Sequence, residues 1–228
     1  STQKGVSTRE LYPRNMARAQ KWRRRILGRF EQVRTPTMND YIYAHIRSSI
    51  DTKERLLKSK QCISTIEVFA TAWLKCLRGG GKLIFAGNGG SFADAQHLSA
   101  ELTSRFMFDR APLASLVLGA NNSAISAIGN DYGYDQVFSR ELTGLAQPAD
   151  VFIPISTSGN SPNIFLATQQ ANKIGLVTTA LTGETGGKLA SICDCLCIPS
   201  KNTAQIQECH IMVGHIICGI VEEVYFKG

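Results

Sequence analysis

The sequence lacks the features that mark membrane-spanning and secreted proteins. No apolar run reaches the roughly 18–20 residues that a membrane-spanning helix requires, and no apolar stretch with a cleavage site opens the chain. We therefore expect neither a membrane span nor a secretory signal. The 228 residues, 43% hydrophobic and 19% charged, are typical of one globular domain with a full core.

Cysteines arranged for disulfides or metal binding are also missing. The seven cysteines are odd in number and include no CxxC pair, which argues against a disulfide framework and a Cys-rich zinc knuckle. Cys193, Cys195 and Cys197 alternate with Asp194 and Leu196, the spacing of one face of a strand. We interpret them as part of a reduced core strand in a cytoplasmic protein, because reducing compartments keep thiols free.

Positive charge is concentrated at the N-terminus. Residues 1–37 carry a net charge of +8, whereas residues 38–228 carry −1. Apolar residues at 19, 22, 26, 30 and 33 could form one face of a basic amphipathic helix that binds an anionic surface or nucleic acid, or directs the chain to an organelle. We expect instead a dispensable extension ahead of a natural start at Met38, and no nucleic-acid partner for the remainder.

Beyond Met38, helical and strand-like patterns alternate. Two helical stretches, near residues 38–58 and 61–78, predict an N-terminal helical hairpin. Strand-like runs follow at 82–86, 113–118, 150–156, 176–181 and 195–198. Helical segments lie at 91–106, 122–128, 134–146, 161–173, 187–192 and 204–225. The alternation predicts an α/β fold, a doubly wound five-stranded parallel sheet of flavodoxin-like order 2-1-3-4-5.

A glycine-rich turn ends the first predicted strand, at Gly87-Asn88-Gly89-Gly90-Ser91. Small residues allow backbone N–H groups to approach a ligand, although the turn fits neither GxGxxG nor the Walker pattern. Ser91 is predicted to cap the next helix, with Asp94 completing a capping box. The turn alone also fits a plain strand-to-helix connection.

A second loop, STSGNSPN from Ser156 to Asn163, follows the third predicted strand. It places four hydroxyls and a glycine where a helix begins, with Pro162 in the first turn. Free N–H groups and the positive end of the helix dipole predict a phosphate site there. Strands 1 and 3 flank the switch point of this sheet order, so both loops should form one ligand site.

Two helices carry residues suited to a metal or to acid–base chemistry. His97 and Glu101 lie four apart on one helix face, as a surface pair, a metal pair or a catalytic pair would. Gln207, His210 and His215 share the predicted C-terminal helix. His and Glu ligate zinc commonly and Gln uncommonly. The spacing does not choose between His210 and His215.

Four segments of the sequence resemble phosphoheptose isomerases of the sugar isomerase (SIS) domain family. They read GNGGSFADAQHLSAE from Gly87, SAISAIGNDYGY from Ser123, STSGNSPN from Ser156 and TAQIQECHIMVGH from Thr203. The similarity extends from about Met38 to the end of the chain. It divides the sequence into a basic extension, residues 1–37, and a SIS domain, residues 38–228.

The resemblance implies isomerisation of sedoheptulose 7-phosphate to D-glycero-D-manno-heptose 7-phosphate, the first step toward activated heptose for lipopolysaccharide or capsule. It also implies a homotetramer with active sites between subunits and one zinc ion per subunit. The implied zinc ligands are His97, Glu101, Gln207 and His215. The implied substrate contacts are Asn88, Gly89, Gly90, Ser91, Glu101, Asn130, Asp131, Ser156, Thr157, Ser158, Ser161 and Gln207. Glu101 is expected to act as the base at carbon, with His215 as its acid–base partner.

The chain departs from the family pattern at several positions, which bears on the exact substrate. Phe92 replaces a usual alanine, Pro154 a glycine and Gln205 an arginine, and Asn121-Asn122-Ser123 replaces Thr-Asp-Thr. Three alternatives remain: a non-catalytic adaptor that binds a replication initiator, a sugar-phosphate sensor, and an isomerase of another phosphosugar. The adaptors lack the acid–base pair that Glu101 and His215 would form, so its presence favours an enzyme.

Overall fold

In a computed structural model, residues 20–21 and 37–228 are described. The amphipathic helix predicted from positions 19–33 lies outside these residues except for Gln20 and Lys21, which are helical. The question of the basic extension also lies outside them. The chain divides into two compact units, residues 1–49 and 50–228, and the site described below lies in the second.

The two N-terminal helices predicted from the sequence are present, as α1 (Met38–Lys58) and α2 (Lys60–Arg78). Ser59 between them is extended, with φ −81° and ψ 102°, and its hydroxyl accepts a hydrogen bond from the backbone N–H of Cys62. Ser59 therefore ends one helix and caps the next, as serine commonly does at this position.

Strands and helices then alternate as the sequence predicts. The elements are β1 (Leu83–Gly87), α3 (Gly90–Thr103), β2 (Ser115–Val117), α4 (Asn122–Tyr132), α5 (Val137–Leu145), β3 (Val151–Ser156), α6 (Pro162–Ile174), β4 (Val177–Thr182), β5 (Asp194–Cys197) and α7 (Thr203–Lys227). Short 3-10 helices occupy Tyr134–Gln136 and Leu189–Ser191. The strands form one parallel sheet of order β2-β1-β3-β4-β5, which confirms the predicted topology.

The central strands are buried on both faces, so their side chains divide between two core layers. The layer that includes α2, α3 and α7 contains Phe69, Trp73, Phe85, Leu98, Ile153 and Val213. The opposite layer, with α5 and α6, contains Ile84, Phe138, Leu142, Phe152, Ile164 and Ala171. Helices on both faces leave the carboxyl ends of β1 and β3 open for a ligand.

The strand with three cysteines lies at the edge of the sheet, not in its core. Within β5, Leu196 is buried, while Cys195 and Cys197, like Cys193 just before it, are only half-buried. The predicted alternation is therefore present, but the buried face of the strand is the one with Leu196, not the one with the cysteines. The expectation of a core strand is wrong in this respect, because the last strand of the order has a neighbour on one side only.

Helix α7 is long and apolar enough to cross a membrane, by length and composition alone, with a hydropathy of 1.4. Of that apolar window, 44% is buried inside the protein. The helix also holds a buried histidine and a buried glutamate, His210 and Glu222. A core helix passes the same test, so the finding is weak evidence for a membrane span.

Two of the departures from the family pattern have roles in the fold. The Asn121 side chain accepts a hydrogen bond of 3.2 Å from Ala124 N and caps α4. The buried Gln205 accepts hydrogen bonds of 3.0 Å from the hydroxyls of Thr52 and Ser200. These residues therefore tie α4 and α7 to neighbouring segments of the chain.

Candidate functional site

Two loops meet at the open carboxyl edge of the sheet, as the topology predicts. The glycine loop, residues 87–91, follows β1, and the serine loop, residues 156–161, follows the adjacent β3. The amides of Asn88 and Asn163 exchange two hydrogen bonds of 2.9 Å each. The Tyr134 hydroxyl donates a third, of 3.2 Å, to Asn88. The buried Asn163 thus joins the two loops.

The glycine loop turns without the predicted serine cap. The N-cap residue of α3 is Gly89, with φ 54°, a conformation that favours glycine. Ser91 lies inside the helix and is 4% exposed, so it caps nothing and forms no capping box with Asp94. A Cβ at Gly87 would collide with the backbone of Ser91. Because Gly89 adopts this conformation, the chain turns into the helix two residues before the predicted cap.

Asp94 is a partly buried carboxyl on α3. Its Oδ2 is buried and has no hydrogen-bond partner within the described part of the chain. Burial raises the pKa of this carboxyl to about 6, and the nearby His97 offsets part of that rise. Asp94 therefore lies in a buried environment that its predicted place in a capping box does not indicate.

The serine loop is held by the backbone of another loop, residues 183–189. Gly183 N donates to Thr157 O at 3.0 Å, and Leu189 N donates to Gly159 O at 3.1 Å. Gly159 has φ 64°, and a Cβ there would collide with the carbonyl oxygen of Gly186. This support is absent from the expectations drawn from the sequence. The adjacent glycines Gly186 and Gly187 were the one sign of close backbone contact there.

The hydroxyls of the serine loop lie at the start of α6. Ser161 is the N-cap residue and Pro162 the first helical residue, as predicted. Among the described residues, the Ser161 side chain makes no capping hydrogen bond; it lies 3.1 Å from the hydroxyl of Ser156. The Ser158 hydroxyl accepts from Asn160 N at 3.1 Å. Hydroxyls at a helix N-terminus are suited to bind an anion.

A cluster of three side chains lies between α3 and α7; we call it the His–Glu cluster. His97 Nε2 is 2.9 Å from His215 Nε2 and 3.1 Å from Glu101 Oε1. One ligand atom from each of the three residues lies within 4.8 Å of the others. Tetrahedral zinc with bonds of about 2.0–2.1 Å would separate its ligand atoms by about 3.3 Å. The donor set and its spacing therefore fit a metal ion.

The structure shows which of the two histidines of α7 lies beside His97 and Glu101, a choice that their spacing in the sequence left open. His210 is fully buried, and its Nε2 lies 3.1 Å from the carbonyl oxygen of Thr182. Burial lowers the pKa of His210 to about 4. His210 is therefore a neutral core residue, whereas His215 belongs to the His–Glu cluster.

The fourth predicted ligand, Gln207, lies on α7 and contacts the first residue of α3. Its amide packs against Gly90, where an added Cβ would collide with it. Gly90 precedes His97 by seven residues, or about 10 Å along the helix axis. The structure thus places Gln207 beside the glycine loop, and its ligation of a metal remains a prediction.

The remaining predicted contacts line two cavities. Asn130 and Asp131, joined by a 2.8 Å hydrogen bond, border an open cavity of about 570 Å³ along α4. A smaller cavity of about 180 Å³ borders the glycine loop at Gly87, Asn88, Gly89, Phe92, Gly119, Ile125, Tyr134 and Phe138. The unusual Phe92 therefore narrows the space next to the predicted sugar contacts.

One aromatic neighbour of the His–Glu cluster was missed from the sequence. The ring of Phe106 stacks on His215, with centroids 5.4 Å apart and planes 15° apart. The sequence predicts a helix over 91–106, but α3 ends at Thr103, so Phe106 lies in the turn that follows and not in the helix. The contact joins residues more than a hundred positions apart, so only the fold reveals it.

Comparisons with known proteins agree with this geometry. The family model for the SIS domain matches residues 46–183. A phosphoheptose isomerase from Aneurinibacillus thermoaerophilus is 51% identical over 191 residues, 83% of this chain and 96% of that protein. The solved phosphoheptose isomerase GmhA from Neisseria gonorrhoeae has a TM-score of 0.77 at 39% identity, over 82% of this chain and all of that one. The corresponding structure from Francisella tularensis has a TM-score of 0.78 at 34% identity.

The matched segment of the family model includes the glycine loop and the serine loop. The relative from Aneurinibacillus thermoaerophilus is matched over nearly its whole length. This chain belongs to the SIS domain family and, within it, to the phosphoheptose isomerases.

Proposed function

We propose that this protein isomerises sedoheptulose 7-phosphate to D-glycero-D-manno-heptose 7-phosphate. The observation that carries the proposal is the His–Glu cluster, His97, Glu101 and His215, within a chain so similar to phosphoheptose isomerases. The reaction would supply activated heptose for a surface polysaccharide, such as lipopolysaccharide or capsule. A non-catalytic adaptor would have no use for this cluster.

The serine loop is the proposed phosphate site. Ser156, Thr157, Ser158 and Ser161 would donate hydroxyl hydrogen bonds, and the N-terminus of α6 would add its positive dipole end. The glycine loop and Gln207 lie at the adjacent strand end, where they would contact the sugar together with Asn130 and Asp131. The phosphate would thus be fixed at one end of the sugar while the reacting carbons lie nearer α3.

Aldose–ketose isomerisation moves one proton between C1 and C2 and another between the two oxygens. We assign the carbon proton to Glu101 and the oxygen proton to His215. Glu101 has two carboxylate oxygens, and Oε1 is the one 3.1 Å from His97. The other oxygen is the one that we assign to the carbon proton. His97 Nε2 lies within reach of both partners and, with one hydrogen-bonding position, would hold one of them at a time.

Zinc is the proposed cofactor, because two imidazoles and a carboxylate match its ligand preferences. His97, Glu101 and His215 would hold it, with Gln207 as the predicted fourth ligand. Because a tight ligand cannot also be a free base, Glu101 and His215 would bind the metal loosely or shift between the two roles. When bound, zinc would supply a Lewis acid that polarises the substrate carbonyl.

A homotetramer in the cytoplasm is the proposed state of the protein. Ile216, Ile220 and Val224 recur every four residues along α7 and are 43%, 39% and 36% exposed. An apolar stripe of this kind on a helix is typical of a surface that another subunit covers. Native mass spectrometry would detect the tetramer, and a monomer at micromolar concentration would contradict it.

The experiment that tests the function is a substrate panel with metal analysis. Purified protein is incubated with sedoheptulose 7-phosphate and with five- and six-carbon sugar phosphates, and products are identified by NMR. We expect the heptose phosphate to react fastest, and metal analysis to show one zinc per subunit. Faster turnover of another sugar phosphate would overturn the substrate. Absence of turnover with every sugar, in zinc-loaded protein, would favour the adaptor.

A further inference from the structure

A buried ion pair lies behind the His–Glu cluster. Arg110 Nε donates to Glu222 Oε1 at 2.8 Å, and the two side chains are 3% and 1% exposed. Arg110 follows α3 by seven residues, and Glu222 lies on α7, two turns beyond His215. The pair thus joins the two elements that carry the cluster.

Glu222 fixes the turn that carries Phe106. Its carboxylate accepts hydrogen bonds from Phe106 N at 3.0 Å and from Met107 N at 2.7 Å. The Phe106 ring, held by this backbone, stacks on the ring of His215. The position of Glu222 therefore reaches His215 through one intervening side chain.

Arg110 fixes the end of the helix that carries Glu101. Its guanidinium donates to the carbonyl oxygens of Glu101 and Leu102 at 2.7 Å each, and to that of Ser104 at 3.0 Å. The last carbonyls of a helix have no partner within the helix, and a cation there is favourable. Arg110 therefore satisfies the carbonyl of Glu101 itself.

We propose that Arg110 and Glu222 are positioning residues that set Glu101 and His215 at their working separation. The proposal rests on the proposed function, in which Glu101 and His215 exchange protons with the sugar. Buried ion pairs generally add little net stability compared with apolar residues of the same size. Stability alone therefore does not account for this pair, whereas its contacts on both sides of the cluster do.

Glu222→Gln tests the proposal, with Glu223→Gln as the matched control. Glu223 is the next residue of α7; it is exposed and forms a surface ion pair with Lys227 at 2.9 Å. We expect Glu222→Gln to lower kcat by about 10- to 100-fold with KM within about twofold, because small displacements of reacting groups are costly. We expect Glu223→Gln to match the wild type in both constants.

A second measurement follows His215 without any turnover. The chain has four histidines, so ring signals of metal-free protein can be assigned with a His215→Gln variant. Stacking on Phe106 shifts the ring protons of His215, and we expect Glu222→Gln to move these signals while Glu223→Gln leaves them in place. Phe106→Leu keeps the ion pair but removes the stacked ring, so it should move these signals and lower kcat. Phe106→Tyr keeps the ring, so its His215 signals and kcat should stay near those of the wild type.

The outcomes separate the two proposals. A Glu222→Gln variant with a lower unfolding temperature but wild-type kcat and unmoved His215 signals would show a structural role only and overturn the positioning. If Glu222→Gln does not fold, Phe106→Leu decides: wild-type kcat in that variant overturns the proposal. If the wild type isomerises no sugar phosphate, the proposed function fails, and the His215 signals still report whether the pair positions that ring.

Discussion

The serine loop lies at the carboxyl edge of the sheet and the His–Glu cluster lies between α3 and α7, and the two are held by different parts of the chain. The serine loop is supported by main-chain hydrogen bonds from residues 183–189 and by glycines that allow the two loops to touch. The His–Glu cluster is supported by side chains, namely Phe106 against His215 and Arg110 on the carbonyl of Glu101. The shape of the serine loop thus depends on main-chain hydrogen bonds, and that of the His–Glu cluster depends on side-chain packing.

This difference has a consequence for substitution. Changes in the serine loop should alter folding and substrate affinity together, because its shape is its binding surface. Changes in the His–Glu cluster should alter the chemical step while the fold persists, because its members are only partly buried.

The largest effect is expected from Glu101→Gln and His215→Gln. Each removes one positioned acid–base group, and we expect kcat to fall by about 10²- to 10⁴-fold with the fold intact. Steady-state kinetics with sedoheptulose 7-phosphate and circular dichroism would measure both. His210→Gln is the control, because it changes an imidazole of the same helix outside the cluster. Near wild-type turnover in either cluster variant would remove that residue from the mechanism.

Gly159→Ala should break the serine loop itself. The residue has φ 64°, and the added Cβ would collide with the carbonyl oxygen of Gly186. We expect a loss of about 2–4 kcal/mol in the free energy of unfolding, by the usual cost of backbone strain and overpacking. Urea unfolding measures the loss, and KM should rise in the protein that remains folded.

Gly144→Ala is the matched control for that substitution. Gly144 lies in α5 with nothing within 4 Å of an added Cβ, so alanine should be neutral or stabilise the helix by up to about 1 kcal/mol. If Gly159→Ala behaves like Gly144→Ala, the loops do not depend on glycine for their contact.

Acid should weaken the packing of α7 through His210. Its folded pKa is about 4, below the ordinary value of 6.5, because the ring is buried. The unfolded chain therefore binds a proton first as pH falls, and stability is lost progressively from about pH 6.5 to pH 4. The loss approaches about 3 kcal/mol at most, from 1.36 kcal/mol per pKa unit.

Comparing wild type with His210→Gln isolates this contribution. Asp94, with a pKa raised to about 6, acts with the opposite sign and gains stability as pH falls below 6. Both proteins retain Asp94, so the difference between their unfolding free energies should shrink from pH 7 to pH 4. A difference that stays constant with pH would show that His210 does not titrate as its burial requires.

The sequence predicted the fold better than it predicted the contacts of the site. Runs of apolar residues with turn signals between them were enough for five strands in their correct order, because burial on both faces leaves a plain pattern. Helix starts were less certain: Ser91 was a plausible cap, but the chain turns at Gly89, with φ 54°, and the helix begins two residues earlier. The preference of serine for a cap position does not show where the chain turns.

Long-range contacts between side chains left no signal in the sequence. Its helical pattern placed Phe106 in the segment predicted over 91–106, whereas the residue lies in an irregular turn and stacks on His215. The choice between His210 and His215 likewise depended on which face of α7 packs on the sheet, a property of the whole fold. Resemblance to a family supplied that choice, and the geometry agrees with it.

The smallest effect is expected where the two loops meet. Asn163→Ala would remove both amide hydrogen bonds to Asn88 and leave that side chain held by Tyr134 alone among these contacts. We expect KM to rise by roughly tenfold, which corresponds to about 1.4 kcal/mol, while kcat changes less. Asn172→Ala, on the same helix and bonded at 2.8 Å to Ile192 O at the surface, should leave KM unchanged. If Asn163→Ala instead lowers kcat and leaves KM unchanged, the amide pair positions the reacting groups and not the phosphate. The serine loop would then contribute to the chemical step, and the division between a binding loop held by backbone and a reacting cluster held by side chains would be wrong.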